Sequence, residues 1–525
     1  MRSNLVYIIL ISLVLFNCKR KEDTEWDVDI LSPVVKTTIT IDDLVADSIL
    51  SLNPDNSVNL DYKFSFTPID DQFYFQIPDT ALKAKYGFPF LSPLSLPAGT
   101  QFVNDPVENE LNLRDSKIEY MEIESGEMAY KITSEVGART FYTYTIFKTK
   151  DRNGNPFSKT ISVPAGSRTS PAVVQGTFKF NGYSFDLTGK TGTKFNTFES
   201  EVLVNTDPSG PAVTVSNQDT VYIENKLVSL TPRYVRGYLG KSNFVDGPKT
   251  NKFSVFEQII SGTLDIDSVD IFTEIKNYVG AEAQIKINQL VSHNTATGNT
   301  VPLMHSSIGG WINLDRAVDY YGITPGTRKI IYTKANSNID RLIENLGDEM
   351  TTHFEANLNP FGNISSGNDF LYFNKVIDAD FHIKLPLKFI ANNLKMRQKI
   401  NLNINGESNP VNHALVSIYA RNGFPFSAEA QMYLLNTGGQ IVDSIILTGL
   451  ISSAITDANN EVVSPTNSVL KAAIPADKME ILNKNSEVVL QLTLNTNGAP
   501  HTVIYREHFM DLKLVTDMNM DIKYR

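Results

Sequence analysis

A thiol is the most reactive group available to this chain, and Cys18 is the single cysteine among 525 residues. It stands inside LVLFNCKRKED, Leu13 to Asp23, where an apolar run stops and a charged run begins. One cysteine has no intramolecular disulfide partner, and it excludes CxxC redox pairs and Cys-rich zinc sites. The other reactive side chains are scattered. Of the seven histidines, His501 and His508 come closest. Their odd separation puts them on opposite faces of a strand, so no metal ligand set is expected. Gly189-Lys190-Thr191 has the ending of a phosphate loop, but Ser184 stands where the first glycine is needed, and a turn is expected. Asp151-Arg152-Asn153-Gly154-Asn155 opens like a calcium loop, yet Pro156 occupies the glycine position, and a hairpin turn is expected. HExxH and GxSxG are absent. Acid pairs such as Asp42-Asp43 and Asp70-Asp71 read as solvated turns among 58 acidic residues. The chain therefore reads as a non-enzyme, with no catalytic residue, metal or cofactor nominated.

What the thiol can do instead follows from its neighbours. Arg2 is a short positive start, and Leu5 to Phe16 is apolar except for Ser12. That run is too short for a spanning helix, which needs ~20 residues, and it suits the apolar region of a secretory signal. Leu15-Phe16-Asn17-Cys18 resembles the lipobox of bacterial lipoproteins, with leucine three residues before the cysteine. The resemblance implies cleavage of a signal peptide over residues 1–17 and diacylglycerol on Cys18, often joined by a further acyl chain such as palmitate. Phe16 and Asn17 are larger than the small residues usual there. Lys21, Glu22 and Asp23, just after the cysteine, resemble the surface-export signal of Bacteroidota lipoproteins. An outer-membrane, lipid-anchored, cell-surface location is expected. The triplet Asp-Ser/Thr-aliphatic (or Ala) resembles the periplasmic O-glycosylation acceptor of the same bacteria, and nominates Ser48, Thr80, Thr220, Ser268 and Ser444.

These attachment points need a fold to carry. Hydrophobic residues make up 42% of the chain, enough for sizeable cores. A formal net charge of −11 argues against a nucleic-acid partner, since phosphate binding needs basic surface. Period-two alternation dominates the pattern. It appears at Leu60 to Phe66, at Phe381 to Phe389 and at Val488 to Leu494. The longest case puts Met510, Leu512, Leu514, Met518, Met520, Ile522 and Tyr524 on one face. One polar face per strand means antiparallel sheets with one wet side. The expected fold is mainly β: two or three sandwich-like or elongated curved-sheet domains with one or two short helices packed on a sheet.

Composition shifts suggest a tether over 18–30, an N-terminal β domain over 31–165, a middle β region over 172–250 and C-terminal β domains over 251–525. Gly438-Gly439 predicts a hairpin. Pro386 calls for an edge strand or a bulge. Helices are expected over Ser337–Gly347, capped by Ser337, and around Asp477–Asn483. Asn277-Tyr278-Val279-Gly280-Ala281-Glu282-Ala283-Gln284 is echoed by Asn422 to Gln431, and more loosely from Ser134, as a repeated strand–corner–strand unit. The function expected is that of an accessory subunit or binding module beside an outer-membrane β-barrel, in assembly, secretion or import. The alternative is a carrier that encloses a lipid or other apolar ligand behind the methionine-rich face.

Overall fold

The computed structural model describes residues 24–44, 50–66, 77–89, 92–256, 259–373, 375–402 and 411–524. The fold is mainly β, with antiparallel sheets throughout. One eight-strand pattern occurs three times. In its uninterrupted copy the strands are Thr80–Gly87, Gln101–Glu110, Lys117–Ser134, Thr140–Lys150, Pro156–Val163, Ala172–Lys179, Thr197–Thr206 and Thr220–Tyr238. Pairing gives the orders 1-8-3-6 and 2-7-4-5. That is the strand order of a jelly roll. A short strand, Ser184–Asp186, bridges the two halves into a single ten-stranded sheet that folds back on itself.

The second roll repeats the scheme with Val58–Phe66, Ser242–Lys252, Asp270–Asn277, Ala283–Asn294, Asn299–Pro302, Gly326–Tyr332, Glu349–Leu358 and Ile377–Pro386. The third uses Thr24–Thr40, Lys388–Asn401, Val411–Asn422, Phe426–Leu435, Ile441–Ile446, Thr466–Ile474, Glu487–Thr496 and Phe509–Tyr524. The rolls are nested. The first is inserted between strands one and two of the second, and the second between strands one and two of the third. The contiguous divisions 31–165, 172–250 and 251–525 therefore do not follow the pairing. Lys117–Ser134 pairs with Ala172–Lys179, and Val58–Phe66 pairs with Ile377–Pro386.

The alternation read from the sequence becomes the two faces of each strand. In Thr140–Lys150, Thr140, Tyr142, Tyr144 and Ile146 turn inward while the residues between them stay partly wet. Phe157, Phe180, Phe185 and Phe198 fill the first roll, with successive ring centroids 5.0, 5.1 and 6.4 Å apart. Full burial of each such ring contributes ~1.5–3 kcal/mol. Ile504 joins the second roll to the third: its carbonyl accepts from Val58 N at 3.0 Å and its N–H donates to Leu387 O at 2.8 Å. Pro386 is the last residue of its strand, at the point where the chain leaves the second roll for the third. The hairpin forms as expected, with Asn436 Oδ1 accepting from Gly438 N at 3.0 Å and Gln440 N at 2.9 Å.

The repeated corner is a buried polar residue. Asn277 Nδ2 donates to Ala281 O and Asp315 O, and its Oδ1 accepts from Val279 N. Asn422 makes the same three bonds, to Phe426 O, Ser452 O and Phe424 N. Both are fully buried. Ser134 takes the position in the first roll and accepts from Val136 N at 3.3 Å. Each corner sends the chain from one sheet of its roll to the other. The Ala-Glu-Ala-Gln match is offset by two residues from the corner, which preserves the face because strands repeat every two.

The first helix is five residues shorter than expected, and the second is one residue longer at each end. The first is Ile339–Glu344, and it begins after Asn338, not Ser337. Ser337 Oγ is spent on Thr333 O, and Asn338 is spent on Met304 N and Pro302 O, so neither side chain caps the helix. The chain leaves it through Leu346, at φ 51°, while Gly347 is needed for space: a Cβ there would stand 2.3 Å from Ser292 Oγ. The second is Ala476–Lys484. It buries Met479 and Leu482 and packs on strands of both sheets of the third roll.

Candidate functional site

Cys18, Lys21, Glu22, Asp23 and Ser48 lie outside the described residues. The other four nominated hydroxyls do not converge. Thr80 opens a strand and donates to Pro78 O. Thr220 opens another and donates to Glu135 Oε2 at 2.9 Å. Ser444 lies within Ile441–Ile446 and is half-buried, whereas Ser268 sits exposed in a turn. An O-linked sugar has open access at Ser268.

The two loops read as turns are turns. Around Gly189-Lys190-Thr191, the Lys190 N–H that would meet a phosphate donates to Glu108 Oε1 at 2.9 Å. Asp151 Oδ1 accepts from Asn153 N and Asn155 N, both at 2.9 Å, and closes a hairpin. The Asn155 side-chain amide, donating to Asp151 Oδ2 at 3.0 Å, and then the two backbone bonds hold the Asp151 carboxyl below its ordinary value.

A constellation that the sequence did not single out lies on the outer face of the second roll. Asp270–Asn277 and Ile377–Pro386 are neighbours in register Glu274↔Asp380 and Phe272↔His382. Period two puts Phe272, Glu274 and Lys276 on one face, beside Asp380 and His382 on the same face of the next strand. One ligand atom each from Glu274, Asp380 and His382 lies within 4.8 Å of the others. Asp380 is only 6% exposed. Lys63 Nζ meets its Oδ2 at 2.7 Å, and Ser65 Oγ donates to its Oδ1 at 2.7 Å. Burial works against ionisation of Asp380, but the Lys63 ammonium and the Ser65 hydroxyl outweigh it and hold the carboxyl below its usual range. Lys276 Nζ lies 2.8 Å from Glu274 Oε2, and that bond raises the lysine. The His382 ring stacks on Phe272 at 4.5 Å and 13°, with Lys329 Nζ 3.5 Å from the Phe272 ring centre. His382 Nε2 is buried and has no hydrogen-bond partner.

Two further surfaces are open. A cleft of about 1270 Å³ runs along the junction of the first and second rolls, lined by Asp79, Arg114, Asp115, Lys241, Phe244 and Phe373 among others. On the second roll, the short hairpin of Val318–Asp319 and Ile323–Thr324 carries Tyr320 and Tyr321, 75% and 96% exposed. No helix among the described residues is long and apolar enough to cross a membrane.

No family model matches the chain, and no curated protein matches it. Among solved structures, the chain is similar over 93% of its length, and 99% of the other, to a "putative secreted protein" from Parabacteroides distasonis, at 8% identity and TM-score 0.25. It is similar over 58% of its length, and 87% of the other, to a chain of Broad Bean Stain Virus, at 10% identity and TM-score 0.18. Superpositions this loose carry no argument about function.

Proposed function

We infer that the protein is a lipid-anchored, non-catalytic outer-membrane lipoprotein that holds three jelly rolls at the cell surface as a binding module or accessory subunit of an outer-membrane β-barrel complex. The observation that carries this reading is the apolar run ending in the lone Cys18, followed by Lys21-Glu22-Asp23. The topology supports it. The first described strand, Thr24–Thr40, is also the first strand of the third roll and pairs along its length with Phe509–Tyr524. An anchor just upstream of Thr24 thus pulls on a strand held by a long antiparallel ladder, broken only by a bulge between Pro33 and Val35. The rolls inserted deeper in the chain, with the junction cleft and the Tyr320-Tyr321 hairpin, are left to meet a partner. Exposed aromatic side chains of this kind serve as contact anchors in protein interfaces.

The carrier reading has little to rest on. In the third roll, Met432, Met479 and Met518 line a void of about 30 Å³ with Leu402, Ala414, Val416, Ile474, Leu514 and Thr516. That is room for a water or two, not an acyl chain.

Replacement Cys18→Ala in the native host should move the protein from the membrane fraction to the soluble fraction, because two or three acyl chains at ~0.8 kcal/mol per CH2 supply the anchoring. Retention of the variant in membranes would refute the anchor. Affinity isolation of the wild-type protein from detergent-solubilised membranes should bring down a β-barrel protein, and repeated isolation of the protein alone rejects the accessory role.

A further inference from the structure

We propose that the outer face of the second roll binds a transition-metal ion of the Zn²⁺ type through Glu274, Asp380 and His382. The three residues have the chemistry of a zinc ligand set, one imidazole and two carboxylates. Their ligand atoms lie within 4.8 Å of one another, so modest side-chain rotation closes them around an ion. The backbone supplies the spacing. Asp380 and His382 are two apart on one strand and share a face, and Glu274 is directly opposite Asp380 on the neighbouring strand.

The independent mark of a ligand is His382 Nε2. A buried ring nitrogen without a partner costs free energy whether it is a donor or an acceptor. Stacking on Phe272 at 4.5 Å fixes the ring plane. One ring nitrogen of His382 stands in the cluster with the two carboxylates, so an ion held there takes the imidazole as a ligand.

The two lysines set the terms of binding. Lys63 and Lys276 each hold one oxygen of a carboxylate, at 2.7 and 2.8 Å. Ser65 Oγ also donates to the other Asp380 oxygen, but a carboxylate has about four lone-pair positions, so these donors do not exhaust it. Lys63 is nevertheless a competing positive charge beside the site, and its side chain is 50% exposed and able to swing out. A divalent ion must work against that charge, which predicts that removing Lys63 tightens binding.

The test uses the full chain in detergent, stripped with EDTA and titrated with Zn²⁺ by calorimetry. The wild type should bind one more equivalent than His382→Gln, and Glu274→Gln should weaken that equivalent by more than the ~10–100-fold that loss of an outer ligand contact costs. Lys63→Met should bind severalfold tighter than wild type. Co²⁺ in place of Zn²⁺ should give visible absorption bands in the wild type that are lost in His382→Gln. Melting curves of each variant without metal confirm that it is folded, and Glu274→Gln carries the comparison if His382→Gln does not fold. Equal stoichiometry in wild type and His382→Gln overturns the proposal. So does a site that takes Ca²⁺ as readily as Zn²⁺, or one that Lys63→Met weakens.

Discussion

At the scale of single residues, burial decides what the polar side chains do. His508 is 5% exposed, with its ring edge-on to Phe424 and its Nδ1 accepting from Tyr505 N at 3.2 Å. Burial depresses the imidazole from 6.5 to about 4, with Glu507 opposing only weakly. Between those values the unfolded chain holds a proton that the folded chain refuses. The contribution of a neutral His508 is therefore complete above pH 6.5 and is lost as pH falls toward 4, at ~1.4 kcal/mol per unit and so up to about 3 kcal/mol. His508→Gln should flatten the loss of urea resistance between pH 7 and 4.5 relative to wild type. Parallel losses in the two proteins would sink this assignment.

At the scale of elements, the corners govern the fold. Each roll has a third strand that must end, cross to the opposite sheet and restart as the fourth without leaving backbone groups unpaired in the core. Asn277 and Asn422 do this with one side chain that satisfies two carbonyls and one N–H. Alanine at either position strands those groups in a dry interior, at ~1–3 kcal/mol apiece. Asn277→Ala and Asn422→Ala should each cost more than about 3 kcal/mol in urea unfolding, against ~0.5 kcal/mol or less for Asn459→Ala on an exposed turn. If the corner variants cost no more than Asn459→Ala, the corners are not what holds the sheets together.

At the scale of the whole molecule, the rolls are joined by narrow, specific seams. Phe370–Tyr372 adds to the edge of Thr220–Tyr238 in the first roll. Beside it, Asp369 accepts from Leu239 N at 3.1 Å and from Asn359 Nδ2 at 2.8 Å, and Asn359 also reaches Gly240 O. Gly280 lies under Phe370, where a Cβ would come within 2.1 Å of the ring. Gly280→Ala should therefore shift the ring and loosen the seam, costing ~1–3 kcal/mol. The readout is faster proteolysis at the junction with the sandwich cores intact. An unchanged cleavage rate would show that the seam tolerates the displacement.

Much of this architecture was legible in the linear chain because its signals are local. Period-two alternation, the glycine pair of the hairpin and the existence of the two short helices are set by neighbours a few residues away, and each is found within a few residues of where the pattern put it. The corner repeat was legible too, since a buried asparagine followed by a tight crossing leaves a composition mark. The cap of the first helix was misread because Ser337 and Asn338 are claimed by Thr333, Pro302 and Met304, and two of those partners are distant in sequence. The sequence by itself determined the class of fold, because alternation is a local signal. Only the tertiary structure decided the nesting and the outer-face constellation. Thr24 meets Tyr524, and Glu274 meets Asp380, through sheet register alone. Register comes from the sum of many inward-facing contacts across the sheet, and no short stretch of sequence contains that sum.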